Sequence, residues 1–195
     1  MANPEFFDFN LPSNGFGKPL EVIQAAHERL RRMVELLVPL REHVREHGAD
    51  ARAAVTAGTI LRYLEEAWPR HMQDEEVDIL PRLRARLRDR HTVAAQNVVD
   101  AIATVGEQHR AFDPLFRRIL PLLRAIEAGS PQRLDEPTVQ TFVELFRLHM
   151  ALEEDVLAPA CARLLTAEDL RQIGHAMAAR RGIAWPPGDG PAAPG

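Results

Sequence analysis

The sequence is poor in several features, and each shortage excludes a class of protein. Among its 195 residues there is a single cysteine, Cys161, which excludes an intramolecular disulfide and a Cys-x-x-Cys site and favours a reducing compartment. No apolar run approaches the roughly 20 residues of a membrane span. The first residues lack the basic and apolar regions of a secretory signal. We therefore predict a cytoplasmic protein that does not bind a membrane.

Excess positive charge is also missing. The chain has 24 basic and 28 acidic residues, a net charge of −4, and the two signs are interspersed. This balance lacks the basic surface of a nucleic-acid-binding protein, so no nucleic-acid partner is predicted. The sequence also has no Gly-rich phosphate loop, no His-Glu-x-x-His motif and no Gly-x-Ser-x-Gly motif. These absences argue against the corresponding nucleotide-binding proteins, zinc proteases and hydrolases.

Strand-like alternation is absent, whereas apolar residues recur every three or four positions, which predicts an all-α fold. Caps and breakers place four long helices at about residues 19–47, 51–89, 92–128 and 136–165. A capping box at Thr166 opens a short fifth helix within residues 166–182, between an irregular segment 1–18 and a Pro/Gly-rich tail 183–195. Short connections predict an antiparallel up-down-up-down four-helix bundle over residues 19–165.

Prolines and aromatic residues add local expectations. Six prolines fall inside or near the ends of predicted helices, and each is expected to kink or end its helix. They are Pro39, Pro69, Pro81, Pro114, Pro121 and Pro159. Near the amino terminus, Phe6, Phe7 and Phe9 are candidates to cover one end of the bundle, and Trp185 is a candidate to dock from the tail.

The sequence contains an internal repeat. The segment from His71 to Pro81 aligns without gaps on the segment from His149 to Pro159, and the His, the Met, both Glu and the Pro coincide. Upstream of these segments, His27 and His109 each precede a proline by 12 residues. The chain is therefore predicted to contain two helical hairpins related by a pseudo-twofold axis.

The repeat predicts a metal centre. Residues i and i+4 share a helix face, so each His-x-x-x-Glu pair presents an imidazole beside a carboxylate. Any one histidine is better explained as a core residue, but two copies in register offer four imidazoles and two carboxylates to two bridged divalent ions. Water, an oxo or hydroxo bridge, or a diatomic ligand fills the remaining positions. The candidate ligands are His27, His71, Glu75, His109, His149 and Glu153.

Residues beside the candidate ligands have weaker assignments. Glu76 and Glu154 recur in both repeats but are turned by about 100° from the ligands, so they are predicted to face solvent or to contact a ligand from behind. Asp113, one turn after a candidate ligand, is a possible hydrogen-bond acceptor for an imidazole. Trp68 and Phe146 each precede a candidate histidine by three residues and are expected to wall the site or simply to pack in the core.

The other histidines and the cysteine have structural explanations. His43 and His47 lie among charged residues near a helix end and are predicted to be solvated. His91 in a turn and His175 on the fifth helix have no mate in the repeat. Cys161 lies about two turns beyond the second repeat's glutamate and is predicted to be a buried small apolar residue.

The order His, His-x-x-x-Glu, His, His-x-x-x-Glu on four predicted helices resembles the hemerythrin-like, or HHE cation-binding, family of non-heme di-iron proteins over about residues 19–165. In that family the acids bridge the irons and the histidines ligate them, which implies those roles here. The resemblance supplies two iron ions, since spacing alone also allows manganese or zinc. Oxygen-carrying members have a further histidine where this sequence has Val105, and an aspartate where it has Glu154. These departures argue against a simple reversible oxygen carrier.

The expected function is binding of a small diatomic ligand, dioxygen or nitric oxide, at a di-iron centre for sensing, scavenging or iron handling. One alternative is a redox enzyme or repair protein that turns over peroxide or nitric oxide or delivers iron. Repair proteins of the family often carry a cysteine-bearing amino-terminal segment, which the single Cys161 does not match. Another is an interaction module whose metal is structural. Ferritin-like enzymes use Glu-x-x-His pairs, and no glutamate here is followed by histidine at that spacing. No catalytic residue is predicted, and the oligomeric state is not encoded in any motif.

Overall fold

A computed structural model describes residues 15–130 and 132–185, and every regular element in this part of the chain is helical. After a 3₁₀ turn at Gly15–Gly17, the α-helices are α1 Pro19–Glu35, α2 Leu37–His47, α3 Ala51–Arg62, α4 Trp68–Gln73, α5 Leu80–Leu87, α6 Val93–Glu127, α7 Glu136–Leu152, α8 Ala158–Leu164 and α9 Ala167–Arg180. Three π-helical segments, Tyr63–Ala67, Asp74–Ile79 and Glu153–Leu157, join α3 to α4, α4 to α5, and α7 to α8. The predicted all-α class is confirmed.

Side-chain caps explain where the helices begin. The side chains of Asp50, Thr92 and Asp135 each accept a hydrogen bond from a backbone N–H three residues later. Thr166 and Asp169 form the predicted capping box at the start of α9. A cap of this kind stabilises a helix by about 1 kcal/mol, because it satisfies a backbone donor that the first turn leaves free.

Prolines act differently in different helices. Pro39 lies three residues after Leu36, where α1 gives way to α2. In contrast, α6 continues through both Pro114 and Pro121, so neither proline ends its helix, and the alternative of a kink at these positions stays a prediction. A proline inside a helix removes one hydrogen bond, and the 35-residue α6 retains enough others to continue past it.

Two apolar clusters form the core. One contains the fully buried rings of Phe112 and Phe142 together with Trp68, and it joins α1, α2, α3, α6 and α7. The other contains Phe16 and Ile173 and joins the start of α1 to α5, α6, α8 and α9. Burial of each such side chain contributes on the order of 1.5–3 kcal/mol. The predicted metal ligands belong to neither cluster and lie between them along their helices.

The first and last described helical segments, Gly15–Gly17 and α9, pack together on the second cluster. A Cβ atom on Gly174 would lie 2.0 Å from the carbonyl oxygen of Phe16, so α9 can approach the 3₁₀ turn only with glycine at that position. Trp185 docks beside α9, with its ring 5.6 Å from that of His175. The predicted end-covering residues Phe6, Phe7 and Phe9 lie outside the described residues. Within the described part, no helix is long and apolar enough to cross a membrane.

Candidate metal centre

All six predicted ligands come together in the interior. Each is at most 4% exposed, although histidine and glutamate seldom occur in a protein core without a partner. The ring centroids of His27 and His71 lie 4.9 Å apart, and those of His109 and His149 also lie 4.9 Å apart. We call the first pair the first pole and the second pair the second pole. The two glutamates lie between the poles.

Glu75 turns one carboxylate oxygen toward each pole. Its Oε1 atom lies 3.1 Å from Nε2 of His71 and 3.6 Å from Nε2 of His27. Its Oε2 atom lies 3.5 Å from Nε2 of His109. Two donor atoms that share one ion at bond lengths of about 2.1 Å lie about 3.0–3.4 Å apart. The distance to His71 falls in this range, and those to His27 and His109, at 3.6 Å and 3.5 Å, lie just beyond it.

Glu153 repeats this arrangement from the other half of the chain. Its Oε2 atom lies 3.2 Å from Nε2 of His27, and its Oε1 atom lies 3.4 Å from Nε2 of His149. Each glutamate therefore belongs to two sets of four donors, one at each pole, whose ligand atoms all lie within 4.8 Å of one another. A carboxylate placed in this way can bridge two cations.

The donor atoms have no other use in the described structure. The Nε2 atoms of all four histidines, and the Oε2 atoms of both glutamates, are buried and have no hydrogen-bond partner among the described residues. Burial of so many unsatisfied polar atoms is costly. Two cations would satisfy all of them, so the residues present fit a pair of metal ions.

Without a cation, charge is shared unevenly among these groups. Burial acts to lower the pKa of His27, but Glu153 and Glu75 outweigh it and raise that pKa to about 9. At His71 burial prevails and lowers the pKa to about 4. Burial and the neighbouring Glu75 raise the pKa of Glu153, whereas the surrounding imidazoles overcome burial and lower the pKa of Glu75. Cations at both poles would allow two ionised carboxylates and neutral imidazoles.

Both glutamates lie in π-helical segments. The segment Asp74–Ile79 closes where the N–H of Leu80 donates to the carbonyl of Glu75, and Glu153–Leu157 closes where the N–H of Ala158 donates to the carbonyl of Glu153. A proline follows each closing residue. Its ring crowds the carbonyl four residues earlier, and the wider π turn relieves that contact. Sequence analysis did not predict these turns, although the proline six residues after each glutamate was the available signal.

The residue that follows each glutamate contacts a histidine of the other repeat. Glu76 lies 2.7 Å from Nδ1 of His109, and Glu154 lies 3.6 Å from Nδ1 of His27. The predicted alternative of contact from behind a ligand thus describes them better than simple exposure to solvent. Asp113 is exposed, and Glu76 takes the place that had been considered for it. A carboxylate on Nδ1 fixes the ring and directs Nε2 toward a metal.

Other neighbours of the site differ between the poles. Nδ1 of His149 lies 3.2 Å from the side-chain oxygen of Gln108, whereas Nδ1 of His71 has no hydrogen-bond partner among the described residues. Trp68 walls the site as predicted, with its ring 6.1 Å from that of His149. Phe146 packs on Trp68 in the first apolar cluster.

The remaining histidines lie apart from the centre. His43 and His47 stack on each other near the end of α2, and His43 also contacts Asp50. His91 and His175 are exposed. Cys161 is buried, as predicted, and burial raises the pKa of its thiol to about 12.

Comparisons with known proteins agree with this geometry. The family model for the hemerythrin HHE cation binding domain matches residues 18–161, a stretch that contains all six predicted ligands. An uncharacterised protein of Haemophilus influenzae is 25% identical over 168 residues, which cover 86% of this chain and 92% of that protein.

Proposed function

The chain belongs to the hemerythrin HHE cation-binding domain family, and on that premise we propose that it holds two iron ions bridged by Glu75 and Glu153. His27 and His71 would ligate the ion at the first pole. His109 and His149 would ligate the ion at the second pole. Manganese or zinc fits the same donors, and iron is proposed because the family resemblance implies it.

One observation carries the proposal: each glutamate directs one oxygen to each pole, and the donor atoms have no competing hydrogen bonds among the described residues. A mononuclear site would need one set of four donors and would leave the other pole unsatisfied. A bridged pair satisfies both poles with the same two carboxylates.

The centre is proposed to bind a small diatomic ligand, dioxygen or nitric oxide, for sensing, scavenging or iron handling. Iron would supply electron transfer and affinity for such ligands. The chain's own residues supply the rest: Glu76 orients His109, and the aromatic residues around Trp68 keep water from the second pole. The same proposal includes a cytoplasmic location and an up-down-up-down order of the four long helices.

Metal analysis of protein from iron-replete cells tests the proposal, together with the near-ultraviolet and visible spectrum before and after exposure to air. About two irons per chain are expected, with a charge-transfer band that is absent from Glu75→Ala/Glu153→Ala. The matched control Glu66→Ala/Glu144→Ala removes one exposed glutamate from each half and should keep both iron and spectrum. Iron content and spectrum that do not depend on Glu75 and Glu153 would show that the repeat is only a scaffold.

A further inference from the structure

A cavity of about 580 Å³ opens beside the metal centre. It lies between α1 and α8, and its walls are mainly apolar, with Leu20, Ile23, Leu157, Ala158 and Cys161 among the lining residues. At its inner end it reaches three of the proposed ligands, His27, Glu75 and Glu153. A diatomic molecule has two heavy atoms and is only slightly larger than a water molecule, which occupies about 30 Å³ in the liquid. The cavity is therefore far larger than such a ligand requires and falls in the range of pockets for small organic molecules.

Of the four candidate histidines, only His27, at the first pole, lines the cavity. The side chain of His27 is 4% exposed and that of Glu75 is 5% exposed, whereas the side chains of His109 and His149 are each 1% exposed. The slight exposure thus lies where the cavity meets the centre. A ligand that enters through this cavity reaches the ion at the first pole.

The pseudo-twofold counterpart of the cavity is a groove between α5 and α6. This groove of about 700 Å³ is lined by Glu76, Leu80, Arg84 and Arg110, but none of the proposed metal ligands lines it. In the repeat, Leu80 corresponds to Ala158 and Arg84 corresponds to Ala162. Leu80 lines both the groove and the cavity, whereas the smaller Ala158 lines only the cavity, so Ala158 leaves more room beside the first pole than a leucine there would.

An ion pair between Arg31 and Glu154 lines the cavity and contacts one of the candidate ligands. Arg31 lies 2.7 Å from Glu154, which also contacts Nδ1 of His27, and all three residues line the cavity. The mouth is thus polar and the interior apolar. Two divalent ions with two bridging glutamates would retain a net charge of about +2, which favours an anionic group at the inner end. The other acids of the lining, Glu21, Glu28 and Glu154, are exposed, and Glu21 and Glu154 are paired with Lys18 and Arg31.

We propose that the first pole takes a small organic molecule whose anionic oxygen head contacts the metal and whose short aliphatic chain lies in the cavity between α1 and α8. The contact of the head rests on the proposed metal centre. The place of the chain rests on the cavity alone. The ligand class is therefore a short-chain organic acid or a molecule of similar shape and charge.

Binding of straight-chain carboxylates to zinc-loaded and to metal-free protein tests the proposal. Zinc is used in place of iron because it is diamagnetic, which suits NMR, and because it is redox-inactive. Acetate, butanoate and hexanoate are titrated while amide chemical shifts are recorded by NMR. Each added methylene should lower the Kd about fourfold, the equivalent of the transfer free energy of one buried methylene. The shifts should be largest for the cavity-lining residues Ile23, Ala158 and Ala162.

Ala158→Leu introduces the residue found at the equivalent position of the other half, Leu80, in the same context before a proline. This variant should abolish the increase in affinity from acetate to hexanoate. It should keep the zinc content and the affinity for acetate. Ala162→Leu, at an exposed position of the same cavity, should reduce the gain if Ala158→Leu disturbs folding. The matched control Ala103→Leu, exposed on α6, should leave the gain unchanged.

The outcomes separate this inference from the proposed function. Equal affinities for acetate and hexanoate in protein that holds two zinc ions would overturn the inference and leave the metal centre intact. A chain-length gain that is sensitive to Ala158→Leu in protein that binds no metal would support the cavity and overturn the proposed function. An increase in affinity with chain length that persists in both Ala158→Leu and Ala162→Leu would mean that the aliphatic chain binds elsewhere, and it would overturn the inference.

Discussion

The two π-helical segments that carry Glu75 and Glu153, the proposed bridging ligands, occupy equivalent places in the repeat, but different forces hold them. In Asp74–Ile79, the buried acids Asp74 and Asp78 meet Arg180 and Arg181 at the end of α9. Arg181 forms a two-bond contact with Asp74, at 3.1 Å and 2.6 Å. Arg180 contacts both acids. An ionic clamp from the last helix therefore holds the segment of Glu75.

Among the described residues, the second segment has no such clamp. The residues equivalent to the two acids are Leu152 and Val156, and both pack against the second apolar cluster. The two glutamates thus repeat, whereas the contacts that hold their segments do not. Ligand geometry restricts the metal site to a few residue types, but a backbone segment can be held equally by packing or by paired charge.

Replacement of Asp74 by leucine, the residue at the equivalent position of the other repeat, should give the largest loss of stability. Asp74→Leu leaves the guanidinium of Arg181 without its carboxylate in a position where the arginine side chain is only 17% exposed. We expect the free energy of unfolding in urea to fall by about 3 kcal/mol, as for the loss of one partner of a buried ion pair. Leu152→Ala, in the half-buried apolar segment, should cost only about 1 kcal/mol.

The exposed pair Lys18–Glu21 provides a control for the clamp. Both side chains are about two-thirds exposed, so Glu21→Ala should change the free energy of unfolding by less than about 0.5 kcal/mol. If Asp74→Leu proved as mild as Glu21→Ala, the two segments would be held by packing alone, and the contrast between the repeats would disappear.

A second contrast concerns the carboxylates behind the ligands. Glu76 lies 2.7 Å from Nδ1 of His109, but Glu154 lies 3.6 Å from Nδ1 of His27 and is shared with Arg31. Glu76→Ala should therefore weaken metal binding by about 10- to 100-fold, the usual effect of removing such a partner. Glu154→Ala should weaken it by less than about tenfold.

Competition with a chromophoric chelator measures both metal affinities. Glu76→Gln serves as the conservative variant, because its amide oxygen can still accept a hydrogen bond from His109. It should recover most of the loss. Equal effects of Glu76→Ala and Glu154→Ala would mean that these distances do not control the basicity of the ligand rings.

Much of the helix layout follows from local sequence. Asp50 and Thr166 cap helices at the predicted places, and Gly48, with a φ of 75°, follows the end of α2 as expected. Local chemistry sets these boundaries, so one sequence is enough to find them. The six candidate ligands were found because they repeat in register. Their assignment as ligands stays a prediction.

Contacts between helices that are distant in the sequence could not be predicted from the sequence. Nothing local links Arg181 to Asp74, since 107 positions separate them and both look like solvated surface charges in a helix pattern. Glu76 was equally ambiguous, because its partner His109 comes from the other repeat. The prolines show the same limit: Pro81 follows a π turn, whereas Pro114 lies inside an uninterrupted helix. Neighbouring helices decide such cases.

The smallest expected effect concerns the other end of α9, where the anchor is a cap and not a buried clamp. Asp169 accepts hydrogen bonds from Arg86 and from the N–H of Thr166, each at 2.8 Å. The Arg86 guanidinium is the main cause that lowers the pKa of Asp169 to about 2, against its ordinary value of 3.8. Because the folded pKa is the lower one, this contribution is complete above about pH 4 and is lost as the pH falls toward 2.

Urea unfolding between pH 5 and pH 2 should therefore show wild type losing about 1 kcal/mol more than Asp169→Asn, which lacks the titrating group. The exposed Asp100→Asn should follow the wild-type curve. Parallel curves for wild type and Asp169→Asn would mean that the cap adds nothing beyond a neutral hydrogen bond. In that case α9 would depend on its packing in the second cluster and on its clamp to Asp74 and Asp78, so the clamp that distinguishes the two π-helical segments would also hold the last helix.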